Sequence, residues 1–190
     1  EERQVSADGH SHQLPVPFMV AATQNPVEQE GTYRLPESQL DRFLMRLSLG
    51  YPGRDAELAI LDSNGAADSL HALRPVVSAD EIVQMCAAVR TVHLAPPLKS
   101  YMVDLAETSR NHNGLLLGLS PRATLQLARA ARAHAAAHGR DYAIPDDVKA
   151  VAVPVLAHRI VLRPDASSRG LTQEGAVHEL LTAVPVPAGR

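Results

Sequence analysis

The sequence predicts a mainly helical chain with a small β part ahead of the helices: a hairpin and two strands, then a helical bundle. Three observations predict it. Of the 190 residues 45% are hydrophobic but only 3% aromatic, with no Trp, so a core has to be built from Ala, Leu and Val, and Ala and Leu cost least in helical geometry. Residues 18–23 (FMVAAT) form a continuous apolar run and residues 44–49 (LMRLSL) alternate, which are the two signatures of strands. From Asp55 onward the chain repeatedly carries helix start and stop signals.

The elements follow in order. Residues 4–14 read as a hairpin around Asp8-Gly9, a dipeptide suited to a type I′ turn. Pro15 and Pro17 break pairing before the apolar strand, and Asn25-Pro26 ends that strand because the residue before Pro avoids helical φ/ψ. A short helix is expected over 35–43 with Pro36 near its start, then the second strand, ended by Gly50-Tyr51-Pro52-Gly53. The character changes there, which divides the chain into residues 1–52, a helical domain over 53–165 and a tail over 166–190. Helices are expected at 55–62, 78–92, 97–113, 121–138 and 145–161. The second opens on Ser78-Ala79-Asp80-Glu81, a capping box. The third carries Leu98, Tyr101, Met102 and Leu105 at helical spacing. The fourth is capped by Ser120 with Pro121 at its first position and closed by Gly139. Residues 161–163 either pair as a short strand or end the fifth helix. Residues 166–170 read as a loop and 175–181 as a short helix.

Several function classes are disfavoured. A net charge of −3 gives no global attraction to nucleic acid or an anionic membrane. No apolar run is long enough to span a bilayer, and the opening Glu1-Glu2-Arg3-Gln4 is not a signal peptide. The single Cys86 cannot form an intrachain disulfide and fits a reducing compartment. A cytoplasmic protein without nucleic-acid partners or membrane insertion is expected. Among 18 basic residues only Lys99 and Lys149 are lysines, and neither follows a Gly-rich stretch, so the chain carries no phosphate-cradling loop. Asp80-Glu81 belongs to the capping box and does not end an apolar strand, so the acid pair that would hold a catalytic metal is missing too. Of the nine His, His134 and His138 share a helix face and His10 and His12 a strand face. Neither pair has a third ligand in view; polar surface is expected and no metal site. Arg129, Arg132 and Arg140 make the fourth helix basic without interleaved aromatics, a solvated or subunit-facing surface.

Three residues stand where chemistry could occur. Asn25 ends a strand, and in open α/β sheets ligands bind at the carboxyl ends of strands. Its amide could orient a water by one donor and one acceptor, or it could simply cap an Asx turn. Arg42 ends the short helix, and its planar guanidinium suits bidentate contact with phosphate oxygens; pairing with Asp41 or Glu37 on a surface helix is the plainer alternative. Arg122 sits in the first turn of a helix, where a cation works against the macrodipole, a mismatch that points to function or to an ordinary exposed Arg.

The stretches ATQNPVEQEGTY, LPESQLDRF, SPRA and IPDDVKAVAVPVLAHRIVL closely resemble the MoxR family of AAA+ ATPases, and the resemblance runs from Arg3 to Leu162. It implies the C-terminal part of an AAA+ α/β nucleotide-binding core (the hairpin and two core strands) followed by an α-helical lid. It implies roles as well: Asn25 as sensor 1, Arg42 as arginine finger, Arg122 as sensor 2. Arg34 departs from the family pattern, which often has Pro there, and Arg34 and Arg46 are rivals for the finger role. Hairpins at the place of residues 4–14 face a central pore or a neighbouring subunit in some AAA+ proteins; an ordinary solvent hairpin is the alternative. Full-length relatives are expected to bind ATP and Mg²⁺, to assemble as rings (often hexamers) and to remodel client proteins, often ones carrying von Willebrand A domains. The phosphate-binding half that precedes these motifs in the family is not in this sequence. The chain alone is therefore expected to hydrolyse no ATP and to hold no cofactor tightly, and a longer parent is expected. Two other classes stay open: a magnesium-chelatase-type motor subunit, and a non-catalytic oligomerisation module.

Overall fold

The computed structural model describes residues 3–24, 36–62 and 73–187. Strands β1 (Gln4–Ala7) and β2 (His10–Gln13) pair antiparallel, with Val5 opposite His12 and Ala7 opposite His10. Asp8 at φ 51° and Gly9 at φ 78° supply the two left-handed residues that a tight hairpin turn needs. Every residue of both strands is exposed.

The two strands expected after the hairpin are not formed. Residues 18–24 and 45–50 lie in no sheet, and Phe18, Met19, Leu47 and Leu49 are exposed. The reason is pairing. A strand needs a neighbour for its N–H and C=O groups, and among the described residues β1 and β2 bond only to each other. The apolar pattern of a buried strand is present without a sheet to bury it.

Helix α1 (Glu37–Leu40) is one turn long, and α2 (Arg54–Asp62) buries no side chain. In α3 (Ala79–Thr91) the expected capping box is complete: Ser78 Oγ accepts from Glu81 N–H at 3.2 Å and Ser78 N–H donates to the Glu81 carboxylate at 2.6 Å. This helix also buries nothing, so the core begins at Val92.

Helix α4 (Pro96–Arg110) buries Leu98, Tyr101, Met102 and Leu105, the stripe read from its spacing. After β3 (Leu115–Leu117) comes α5 (Pro121–Ala137), capped by Ser120 Oγ accepting from Ala123 N–H at 3.2 Å and followed by Gly139 at φ 72°. Its inner face is largely alanine, including Ala123, Ala131 and Ala135, and small residues let α6 (Pro145–Leu156) lie close against it. Helix α6 ends in a 3₁₀ turn, Ala157–Arg159, short of the expected residue 161. Residues Val161–Leu162 form β4, antiparallel to β3, which decides the open alternative in favour of a strand. Pro164 then starts a short helix, α7 (Pro164–Ser168), where a loop was expected, and Pro at a first helical position is the signal. Helix α8 (Gln173–Ala183), capped by Thr172 Oγ1, buries Ala176, Val177 and Leu180 in the common core with α4, α5 and α6. The architecture is thus mainly α with two small two-stranded sheets. No helix among the described residues is long and apolar enough to cross a membrane.

Candidate functional site

A helix leaves its last carbonyls without intrahelical partners. At the C-terminal end of α6 two of those groups are met by a residue that follows α1 and by the 3₁₀ turn itself. Arg46 N–H donates to Pro154 C=O at 2.9 Å, and the Arg159 guanidinium bonds Val155 C=O. The same guanidinium donates from Nε to Asp41 Oδ1 (3.1 Å), from Nη1 to Leu44 C=O (3.1 Å), and from Nη2 to Phe43 C=O (2.5 Å) and Asp41 C=O (3.2 Å). Next to it His158 lies with Nε2 3.2 Å from the Phe43 carbonyl, which can only accept, so Nε2 carries the proton. Arg46 also pairs with Glu174 at the start of α8. The segment 41–46 is thereby strapped across the end of α6.

Burial lowers the pKa of His158, and the neighbouring Arg159 charge lowers it further, so the ring is neutral here. Burial also lowers that of Arg159, and Asp41 opposes the shift. The side chain of Arg159 is 1% exposed and that of Asp41 31%.

The predicted site residues fall as follows. Asn25 and Arg34 lie outside the described residues. Arg42 is exposed on the turn after α1, which is closed by its N–H on Gln39 C=O (3.1 Å) and by Phe43 N–H on Leu40 C=O (3.1 Å). Arg122, in the first turn of α5, places Nη1 4.0 Å from Asp41 Oδ2. Asp41 therefore stands between Arg159 on one oxygen and Arg122 on the other, and the plainer pairing of Arg42 with Asp41 gives way to this arrangement. Arg122 thus reaches the residue that precedes Arg42 in the chain. Arg159 was not singled out from the sequence; the signal available was a charged residue inside the apolar run VLAHRIVL.

Two surface readings are corrected. Arg140 donates twice to Asp147 (2.6 and 2.5 Å) and Arg132 Nε donates to Val92 C=O at 2.9 Å, so both tie parts of the chain together rather than forming a solvated basic face. His134 Nδ1 lies 2.7 Å from Asp147 Oδ1, so that His belongs to the same network around the buried Asp147 rather than being unengaged polar surface. Among the described residues no three His, Cys, Asp or Glu side chains are grouped as a metal ion would need.

Comparison with known proteins identifies the class to which the chain is similar. Residues 107–180 match the family described as AAA lid domain, and residues 1–45 match the ATPase family associated with various cellular activities (AAA). The chain is 43% identical over its whole length to the uncharacterized protein YeaC of Bacillus subtilis, covering 59% of that protein. It is 37% identical to chaperone MoxR1 of Mycobacterium tuberculosis, over 98% of this chain and 52% of that protein. The crystal structure of a candidate ATPase from Cytophaga hutchinsonii superposes with a TM-score of 0.88 at 33% identity, over 98% of this chain and 59% of that one. An AAA segment followed by an AAA lid defines an AAA+ ATPase. Within that class the chain belongs to the MoxR family, and it spans between half and two thirds of the length of these relatives.

Proposed function

We propose that this chain supplies the sensor, finger and lid portion of a MoxR-type ring ATPase that turns ATP hydrolysis into remodelling of client proteins. Asn25 orients the attacking water, Arg42 reaches the γ-phosphate held by a neighbouring subunit, and Arg122 reports nucleotide state to the lid. The observation that carries this reading is the contrast at one turn: Asp41, Phe43 and Leu44 are tied to the lid while Arg42 between them is exposed. A fixed, outward guanidinium is what phosphoryl transfer requires of a group supplied from a neighbour. The donor set also fits phosphate better than Mg²⁺, because two guanidiniums flank the segment and no carboxylate cluster is found among the described residues. The Mg²⁺ ligands and the phosphate loop would then belong to another part of the full-length protein. Client remodelling is drawn from the name of the mycobacterial relative, a chaperone.

Two measurements test it. Arg42→Ala in the full-length protein should lower ATP turnover by about 10³-fold or more while ATP still binds; unchanged turnover would remove Arg42 from the finger role. The 190-residue chain by itself, with only two lysines and neither in a Gly-rich loop, should show no Mg²⁺-dependent turnover. Turnover that Arg42→Ala abolishes in that chain would refute the division of labour.

A further inference from the structure

A guanidinium has five N–H donors, and in Arg159 all are engaged: one on its own helix at Val155 and four on Asp41, Phe43 and Leu44. A buried Arg whose donors nearly all go to a distant segment is a joint, because no other single side chain offers that planar fork. Asp41 is the shared point of the joint, with Oδ1 on Arg159 and Oδ2 facing Arg122 at 4.0 Å. Arg42 follows it directly in the chain and stays exposed.

We infer that Arg159 is a positioning residue for Arg42: it locks the turn that carries Arg42 to the end of α6, so that Arg42 moves with the lid of its own subunit. Arg122 acts on the same joint through the second oxygen of Asp41. A change in lid angle is then delivered to the neighbour's phosphate without any contact between Arg159 and nucleotide. The functional half of this inference rests on the reading of Arg42 as the finger; the joint itself does not.

Hydrogen exchange and steady-state turnover on the full-length protein test the two halves separately. In Arg159→Met the amides of Arg42, Phe43 and Arg46 should exchange about tenfold faster or more, the equivalent of one charge-assisted hydrogen bond lost, while α4 and α5 keep their protection. Arg159→Lys should release them too, since an ammonium cannot serve the carboxylate and three carbonyls at once. If Arg159→Met disrupts the lid as a whole, Asp41→Asn, which alters the exposed side of the joint, decides: faster exchange confined to 41–46 supports it, and wild-type exchange overturns it. For function, Arg159→Lys should lower kcat about tenfold or more with KM for ATP little changed, as expected when an interaction acting only in the transition state is weakened. Released amides with unchanged kcat would overturn the positioning role while leaving the finger reading in place. An unchanged turnover in Arg42→Ala would instead overturn the finger reading, with the exchange result still deciding whether the joint exists.

Discussion

Asp147 holds three parts of the lid at once. Its side chain is 1% exposed, and it accepts from Arg140 at 2.5 and 2.6 Å, from His134 at 2.7 Å and from Ile144 N–H at 2.8 Å. Burial pushes its pKa up, but the hydrogen bonds from Arg140, Ile144 and His134 outweigh it and hold the carboxyl well below its ordinary value of 3.8. A depressed folded pKa means that the unfolded chain binds the proton first, so the stabilisation is present above about pH 4 and is lost as pH falls through the acid range. Asp147→Asn should lower stability at neutral pH, because the buried acceptor loses its charge-assisted hydrogen bonds from Arg140, and should flatten the acid limb of a denaturant-midpoint profile. Tyr101 is the opposite case: its hydroxyl is buried without a hydrogen-bond partner among the described residues. Tyr101→Phe should raise stability by about 1 kcal/mol, since it removes a desolvated group and no bond. Neither role was legible from residue type. Arg140, just past the end of α5, reads as solvated until α6 is seen to bring Asp147 against it.

Helices were largely legible because their signals are local. Ser78 with Glu81, Ser120 with Pro121, and Gly139 each fix an end through bonds within a few residues. The two core strands were legible as patterns but could not form, since pairing partners are not a local property. The end of α6 was misplaced for a related reason, as its Pro154 carbonyl is met by Arg46 N–H, more than a hundred positions earlier. Gly118 shows how element packing reaches the candidate site. A Cβ there would stand 2.7 Å from Arg110 N and from Ser109 C, backbone atoms of α4 that cannot swing away. The strand-to-helix link is held by the same residues, with Leu119 N–H on Ser109 Oγ at 2.8 Å and Arg110 Nε on Leu119 C=O at 3.0 Å. Gly118→Ala should therefore destabilise the lid by about 1–3 kcal/mol, the usual range for overpacking. It should also shift the first turn of α5, visible as altered amide shifts around Arg122.

At the scale of the whole molecule, the segment after α1 is tied to the helical bundle through the joint at His158, Arg159 and Arg46, and that joint contains a titratable group. His158 faces Arg159 and Arg46 as like charges and Asp41 as an opposite one, and its Nδ1 is buried without a partner among the described residues. Burial first, then Arg159, lowers its pKa below the ordinary 6.5. The sign follows from proton binding: between the lowered folded value and 6.5 the unfolded or detached state takes up a proton that the closed joint refuses. The joint is thus at full strength above about pH 6.5 and weakens as pH falls. Exchange protection at Arg42, Phe43 and Arg46 should decline on going from about pH 7 to 5, once intrinsic exchange rates are corrected for pH, while amides of α4 hold. His158→Gln keeps an N–H within reach of the Phe43 carbonyl but cannot take a proton, so it should retain protection at low pH. Equal loss in wild type and His158→Gln would assign the acid sensitivity to another group and leave Arg159 and Asp41 as the whole of the joint.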